Sequence, residues 1–216
     1  MNKNIEATIG YVKEELRNAE GGHDWFHIER VYNTAINILK YETEADAEVV
    51  QLIALLHDIA DSKFHNGDEA VGPLKAKEWL EYLAYEPEVV EHVVKGIENI
   101  SFKGGNCTQR FTSKELEIVQ DADRLDAIGA VGITRVFNYG GFKNNPIHNP
   151  EIAPRFGMTK EEYKADGGTS INHFYEKLLL LKDLMNTDTG KKMAEERHQY
   201  MESFLARFYS EWQGEM

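Results

Sequence analysis

A single cysteine, Cys107, is the only thiol in this chain of 216 residues. That excludes an internal disulfide and a cysteine-built zinc site, and it fits a reduced, cytoplasmic setting. Long apolar runs are missing as well: none approaches the roughly 18–20 residues a membrane span requires. The N-terminal stretch MNKNIEATIGYVKEEL lacks the apolar centre of a signal peptide. Positive charge is scarce. Lys and Arg number 24 against 37 Asp and Glu, a formal net charge of −13. Such a chain repels a phosphate backbone, which argues against a general nucleic-acid binder. A small anionic substrate is not excluded, because a bound cation and a few local Lys or Arg can make one pocket positive inside an acidic protein. Neither a Walker-type phosphate loop nor a GxSxG nucleophile motif is present.

What the chain does contain is helical periodicity. Its composition, 42% hydrophobic and 28% charged, is that of a globular protein rather than a disordered one. Ile5, Ile9, Val12 and Leu16 recur at three- and four-residue steps, which predicts a helix over 3–18. AEGGHD interrupts it, and Asp24 is placed to cap a second helix over 25–40. A third, over 45–61, is apolar around most of its circumference and is expected at the centre of the fold. Helices over 73–84 and 87–99 follow, the second opened by Pro87, then one capped by Ser113 and reaching Ala127. A short helix is expected from 129 to Gly140, then a long Gly/Pro/Asn-rich excursion over 141–168. Thr169 or Ser170 caps a helix to Met185, and Gly190 falls in the turn before a last helix over 191–212. No stretch alternates as a sheet strand does. The expected fold class is all-α, a single-domain helical bundle spanning residues 1–216.

The groups able to carry chemistry are spread over three of these helices. His27 stands early on the second, in HDWFHIERV. His57 and Asp58 stand near the end of the third, in LLHDIAD. Asp123 stands near the end of ELEIVQDADRLDAIGA. A bundle can bring inward-facing side chains from separate helices to one point. Two imidazoles and two carboxylates form a mixed N/O set suited to Mn²⁺, Fe²⁺, Zn²⁺, Ni²⁺ or Co²⁺, and less well to Mg²⁺. At this level Asp121 and Asp126 compete with Asp123, since any of the three could instead pair with Arg124 or cap the helix.

The order H…HD…D resembles the HD-domain metal-dependent phosphohydrolase superfamily. GHDWFHIERV is similar to its opening motif, LLHDIAD to its name-giving His-Asp step, and DADRLDAIGAVGI to its final motif. These motifs cover a metal-binding core of about 20–135. The tail SINHFYEKLLLLKDLMNT, with RHQYMESFLARF after it, resembles a small bacterial single-domain subgroup, which extends the likeness to the C-terminal helices over about 169–212. The resemblance implies that His27, His57, Asp58 and Asp123 hold one divalent metal ion, Mn²⁺ being the first expectation, and it prefers Asp123 because that residue precedes Arg124. Extra histidines that would hold further metals in cyclic-nucleotide phosphodiesterases of the superfamily are missing between Asp58 and Asp123.

The resemblance also assigns Asp61 the orientation or deprotonation of an attacking water, with an alternative role as a partner that fixes His57. His65, Lys63, His23 and Arg124 are candidates for contact with phosphate oxygens. His173 and Lys177, four residues apart, match the subgroup's tail motif and could close the pocket. Phe111, Phe137, Tyr139 and Phe142 either stack on a base or pack within the protein. His92, His148 and His198 are expected in ordinary surface or loop roles. The expected function is hydrolysis of a nucleotide, first of a nucleoside triphosphate to monophosphate and pyrophosphate. The alternatives are release of phosphate from a nucleoside 5′-monophosphate, or nucleotide binding without turnover. No nucleic-acid or membrane partner is expected, and the oligomeric state is left as monomer or homodimer.

Overall fold

The computed structural model describes residues 2–17, 19, 24–60, 68, 70–100, 111–157 and 168–215. Among these the secondary structure is helical, with no strand. In chain order the elements are α1 (Lys3–Glu15), α2 (Trp25–Leu39), α3 (Ala47–Leu56), α4 (Val71–Tyr82), α5 (Pro87–Glu98), α6 (Lys114–Asp126), α7 (Gly129–Phe142), α8 (Ser170–Glu176), a 3₁₀ segment (Leu178–Leu184) and α9 (Asp188–Trp212). The all-α expectation holds. No helix among the described residues is long and apolar enough to cross a membrane.

The starts of these helices are written in short polar side chains that satisfy the free N–H groups of a first turn. Asn2 accepts from Asn4 N–H, Asp24 from His27 N–H, Asp46 from the N–H groups of Glu48 and Val49, Thr169 from Asn172 N–H and Thr187 from Gly190 N–H. Pro87 opens α5, where its missing N–H costs nothing.

The chain groups into two compact units, Met1–Asp123 and Arg124–Met216, and the division falls inside α6. In the first, α3 is the hub. Leu52, Ile53, Ala54, Leu55 and Leu56 are all fully buried, and α1, α2 and α5 pack on it. This all-round burial is what its apolar circumference predicts. In the second unit α9 packs on α7 and on the 3₁₀ segment. A run of rings fills that unit: Phe174 lies 5.8 Å from Phe204 and 6.2 Å from Phe137. Phe137 is therefore a packing residue, whereas Tyr139 and Phe142 are exposed.

Several boundaries differ from the sequence expectation, four of them with a bearing on the site or the second unit. Helix α3 stops at Leu56 rather than near residue 61, and His57 is its C-cap. The cause is local: the His57 ring N–H donates to the Ala54 carbonyl at 2.9 Å, which satisfies an orphan carbonyl of the last turn. Helix α7 continues past Gly140 to Phe142. The helix predicted to reach Met185 is broken at Lys177, with φ −144° and ψ −56°. Beyond it a 3₁₀ turn eclipses residues three apart, so Leu178 and Leu181 are both buried while Leu180 is half exposed. Helix α9 begins at Asp188, which places Gly190 in its first turn rather than before it.

Two glycines test this packing in opposite directions. At Gly10, exposed on α1, an added Cβ meets nothing within 4 Å; at Gly132 it runs into the Ala127 carbonyl. Gly10→Ala is expected to stabilise the protein by about 0.5–1 kcal/mol through helix propensity. Gly132→Ala is expected to destabilise it by about 1–3 kcal/mol through overpacking against backbone. Urea unfolding midpoints of the two variants read both; equal shifts in the same direction would contradict the packing described.

Candidate metal centre

Three helix ends of the first unit converge. His27 lies in the first turn of α2, where Asp24 anchors its backbone N–H at 3.0 Å, and it is 3% exposed. His57 closes α3, with its side chain 5% exposed. Asp123 lies in the last turn of α6, and its side chain is 37% exposed. One potential ligand atom from each lies within 4.8 Å of the other two. Asp123 Oδ1 is 3.5 Å from His27 Nε2 and 4.0 Å from His57 Nε2, and the two imidazoles meet edge to face at 5.4 Å.

The protonation state of His57 follows from its partners. The Ala54 carbonyl can only accept, so Nδ1 carries the proton. Burial pushes the ring's pKa down, and the neighbouring charge of His27 acts in the same direction, against the pull of Asp123 and Asp58. The ring is neutral, and its Nε2 is a lone pair. That atom is buried and has no hydrogen-bond partner among the described residues. A lone pair facing a carboxylate oxygen gains nothing; a cation among the three groups would satisfy all of them. The donor set therefore fits a divalent metal of the N/O-binding kind.

The other predicted site residues fall as follows. Asp58 lies outside the 4.8 Å set, although its charge acts on the His57 ring. Of the three candidate aspartates on α6, Asp123 is the one beside the histidines: Asp121 is fully buried away from the set, and Asp126 is ion-paired with Arg135. Arg124, in the second unit, donates to the Leu184 carbonyl at 2.5 Å. His173 lies in the last turn of α8 and Lys177 at its C-terminal cap. Burial and the Lys177 charge push the His173 pKa down to about 4, so its ring is neutral near pH 7 and offers a hydrogen bond rather than a cation. Asp61, His65, Lys63 and His23 lie outside the described residues. So does the stretch that would carry Asp61 on a helix face shared with His57; α3 has already ended at Leu56.

Two contacts in this unit carry little sequence signal. Nothing in the spacing marks the Ala54 carbonyl, because only the backbone takes part. Glu115 reads in sequence as a first-turn acid of α6; in the structure it is buried and bonded to Asp46 N–H at 2.8 Å. His92, expected in a surface role, bonds Ser113 Oγ at 2.9 Å and lies 3.2 Å from Glu115. His148 packs against Phe208, Tyr209 and Trp212 instead of lying free in its loop. His198 faces Glu202 on α9 at 3.4 Å.

Comparison with known proteins follows the same motifs. A family model described as HD domain matches residues 25–128. YpgQ of Bacillus subtilis (strain 168) is 35% identical over 204 residues, which cover 94% of this chain and 91% of YpgQ. A crystal structure of an HD-superfamily hydrolase from Bacillus thuringiensis is 44% identical, with a TM-score of 0.79, covering 98% of this chain and 97% of that one. The crystal structure of Bacillus subtilis YpgQ in complex with ADP has a TM-score of 0.74 at 31% identity, covering 97% of this chain and 95% of that one.

The His173 ring gives the second unit a pH-dependent stability term. A free histidine titrates near 6.5 and His173 at about 4. Below pH 6.5 the unfolded chain takes up a proton that the folded chain does not, so stability falls as pH drops from about 6.5 to about 4 and levels off below that. Allowing for partial exposure, the loss attributable to this residue is on the order of 2 kcal/mol. His173→Gln should remove it, which denaturant midpoints of both proteins at pH 4.5 and pH 7 would read. Parallel loss in the variant would refute the assignment.

Proposed function

The chain belongs to the HD-domain family, and from that premise we propose that it is a metal-dependent phosphohydrolase acting on nucleotides, a nucleoside triphosphate first, cut to monophosphate and pyrophosphate. The observation that carries the metal is the buried Nε2 of His57, without a hydrogen-bond partner among the described residues and 4.0 Å from Asp123. His27, His57 and Asp123 are the ligands in this reading, with Asp58 completing the set, and the ion is Mn²⁺ or a metal of similar preference. A divalent ion held there supplies Lewis acidity to a phosphoryl oxygen and lowers the pKa of water from about 15.7 toward about 7. The substrate class is supported by the relative that binds ADP.

The chain's own residues then have distinct tasks. The Ala54 carbonyl holds the His57 ring in the tautomer that presents Nε2. Asp24 holds the backbone of His27. The two rings are almost closed to solvent while Asp123 is open, so the approach for water and substrate is on the Asp123 side. Asp61 orients or takes the proton of the attacking water. His65, Lys63 and His23 balance charge growing on the phosphoryl group. The resemblance adds Arg124 as a phosphate contact. The resemblance adds His173, a neutral ring near pH 7, and Lys177 as substrate contacts.

Metal-stripped protein incubated with a nucleotide panel, with Mn²⁺, Co²⁺, Ni²⁺ or Mg²⁺ added singly, tests this directly when phosphate and pyrophosphate are measured apart. Pyrophosphate release is expected, and it should drop at least a hundredfold, as an order of magnitude, in Asp123→Ala and His57→Ala. Phosphate released from monophosphates alone would replace the reading with a nucleotidase. Stoichiometric metal binding without turnover of any nucleotide would replace it with a binding module.

A further inference from the structure

We infer that Glu115 is a positioning residue: it sets the spacing between His57 and Asp123 from the opposite ends of the helices that carry them. The inference rests on the metal-site reading above. Glu115 is the second residue of α6, and 8% of it is exposed. Its carboxylate accepts from the backbone N–H of Asp46 at 2.8 Å. Asp46 is the N-cap of α3, and its own carboxylate binds Glu48 N–H at 2.8 Å and Val49 N–H at 3.2 Å. The first turn of α3 is thus tied to the first turn of α6 by one buried charged acceptor.

A third helix locks this tie. His92 of α5 places Nε2 3.2 Å from the second Glu115 oxygen and 2.9 Å from Ser113 Oγ, and Ser113 Oγ in turn accepts from Leu116 N–H. Farther along α6, Gln120 donates to the Asn99 carbonyl just after α5 at 2.9 Å. From the tie, α3 runs eleven residues to His57 and α6 runs eight to Asp123, about 16 Å and 12 Å at 1.5 Å per residue. There the two side chains meet again at 4.0 Å.

The physical reason to assign the spacing to Glu115 is directionality. Apolar contact is non-directional and tolerates small slides. A charge-assisted hydrogen bond fixes distance and angle and is roughly twice as strong as a neutral one. Metal ligation demands distances held within a few tenths of an ångström. A helix shift too small to disturb the core would therefore still misplace His57 Nε2 against Asp123.

The test is metal binding, read by the affinity for Mn²⁺ and Co²⁺ and by the visible spectrum of the Co²⁺-loaded full chain, well below the unfolding temperature. Glu115→Ala is expected to weaken Co²⁺ binding about tenfold or more and to change its spectrum. Glu115→Gln keeps one acceptor oxygen for Asp46 N–H and should fall between it and the wild type. Thr8→Val removes the hydrogen bond from Trp79 to Thr8 elsewhere in the same unit; it should lower stability and leave the Co²⁺ spectrum unchanged. Should Glu115→Ala fail to fold, Glu115→Gln and His92→Phe carry the comparison. Wild-type affinity and spectrum in the folded Glu115 and His92 variants, with binding abolished in His57→Ala, would overturn the inference and leave the metal site standing. A wild type that binds neither ion would overturn the site reading itself, and this inference with it.

Discussion

The molecule is organised around an electrostatic constraint: two imidazoles closed to solvent and an open carboxylate are brought within 4.8 Å of one another. One imidazole nitrogen there is buried with no partner among the described residues. Leaving such a group unsatisfied costs about 1–3 kcal/mol, against a total stability for domains of about 5–15 kcal/mol. Chains do not carry that cost without a return. The neutral His57 ring is held by a backbone carbonyl in the one tautomer that leaves its other nitrogen as a ligand. A site arranged this way is incomplete as a set of side chains and complete as a cation cradle.

The helices deliver these groups at their ends, and the ends matter electrically. His57 is the C-cap of α3, and Asp123 lies in the last turn of α6. Two helix C-termini, each with partial negative charge on its last carbonyls, therefore add to the field of the Asp123 carboxylate. Asp58, whose charge acts on the His57 ring, adds to it as well. All of these favour a cation. The largely apolar α3 supports the arrangement, because burial of Leu52, Ile53, Ala54, Leu55 and Leu56 leaves its C-terminal His57 little freedom to swing.

Much of this was legible in the sequence, and the parts that were not share a cause. Helix starts could be read because capping is a short-range signal: Asp24 and Thr169 caps appear where they were expected, and Pro87 opens α5. Thr187 is equally visible as a cap, yet Gly190 points to a turn because glycine is the stronger punctuation mark; it sits inside the first turn of α9 instead. His27, His57 and Asp123 were legible as a set from residue type and from the resemblance of three ordered motifs. The end of α3 was not, since apolar periodicity ran on through Ile59 while the His57 side chain closed the helix. Neither was the link between Asp46 and Glu115, sixty-nine residues apart. It joins a backbone N–H to an acid that any first helical turn welcomes, so nothing in its local pattern distinguishes it.

The asymmetry of the cluster also bears on the proposed reaction. The imidazoles are closed to solvent, and Asp123 alone is open. On a chain with a net charge of −13, a polyphosphate arriving without a cation would be repelled by that carboxylate. Two like charges about 4 Å apart repel by roughly 4 kcal/mol at the effective dielectric near a protein surface. A divalent cation would be drawn by the same carboxylate and by the α3 and α6 C-termini. Held by His27, His57 and Asp123, it would supply positive charge there and make the open side of Asp123 favourable to an anion. A net charge of −13 is thus compatible with the proposed anionic substrate at this one point when a cation is held there.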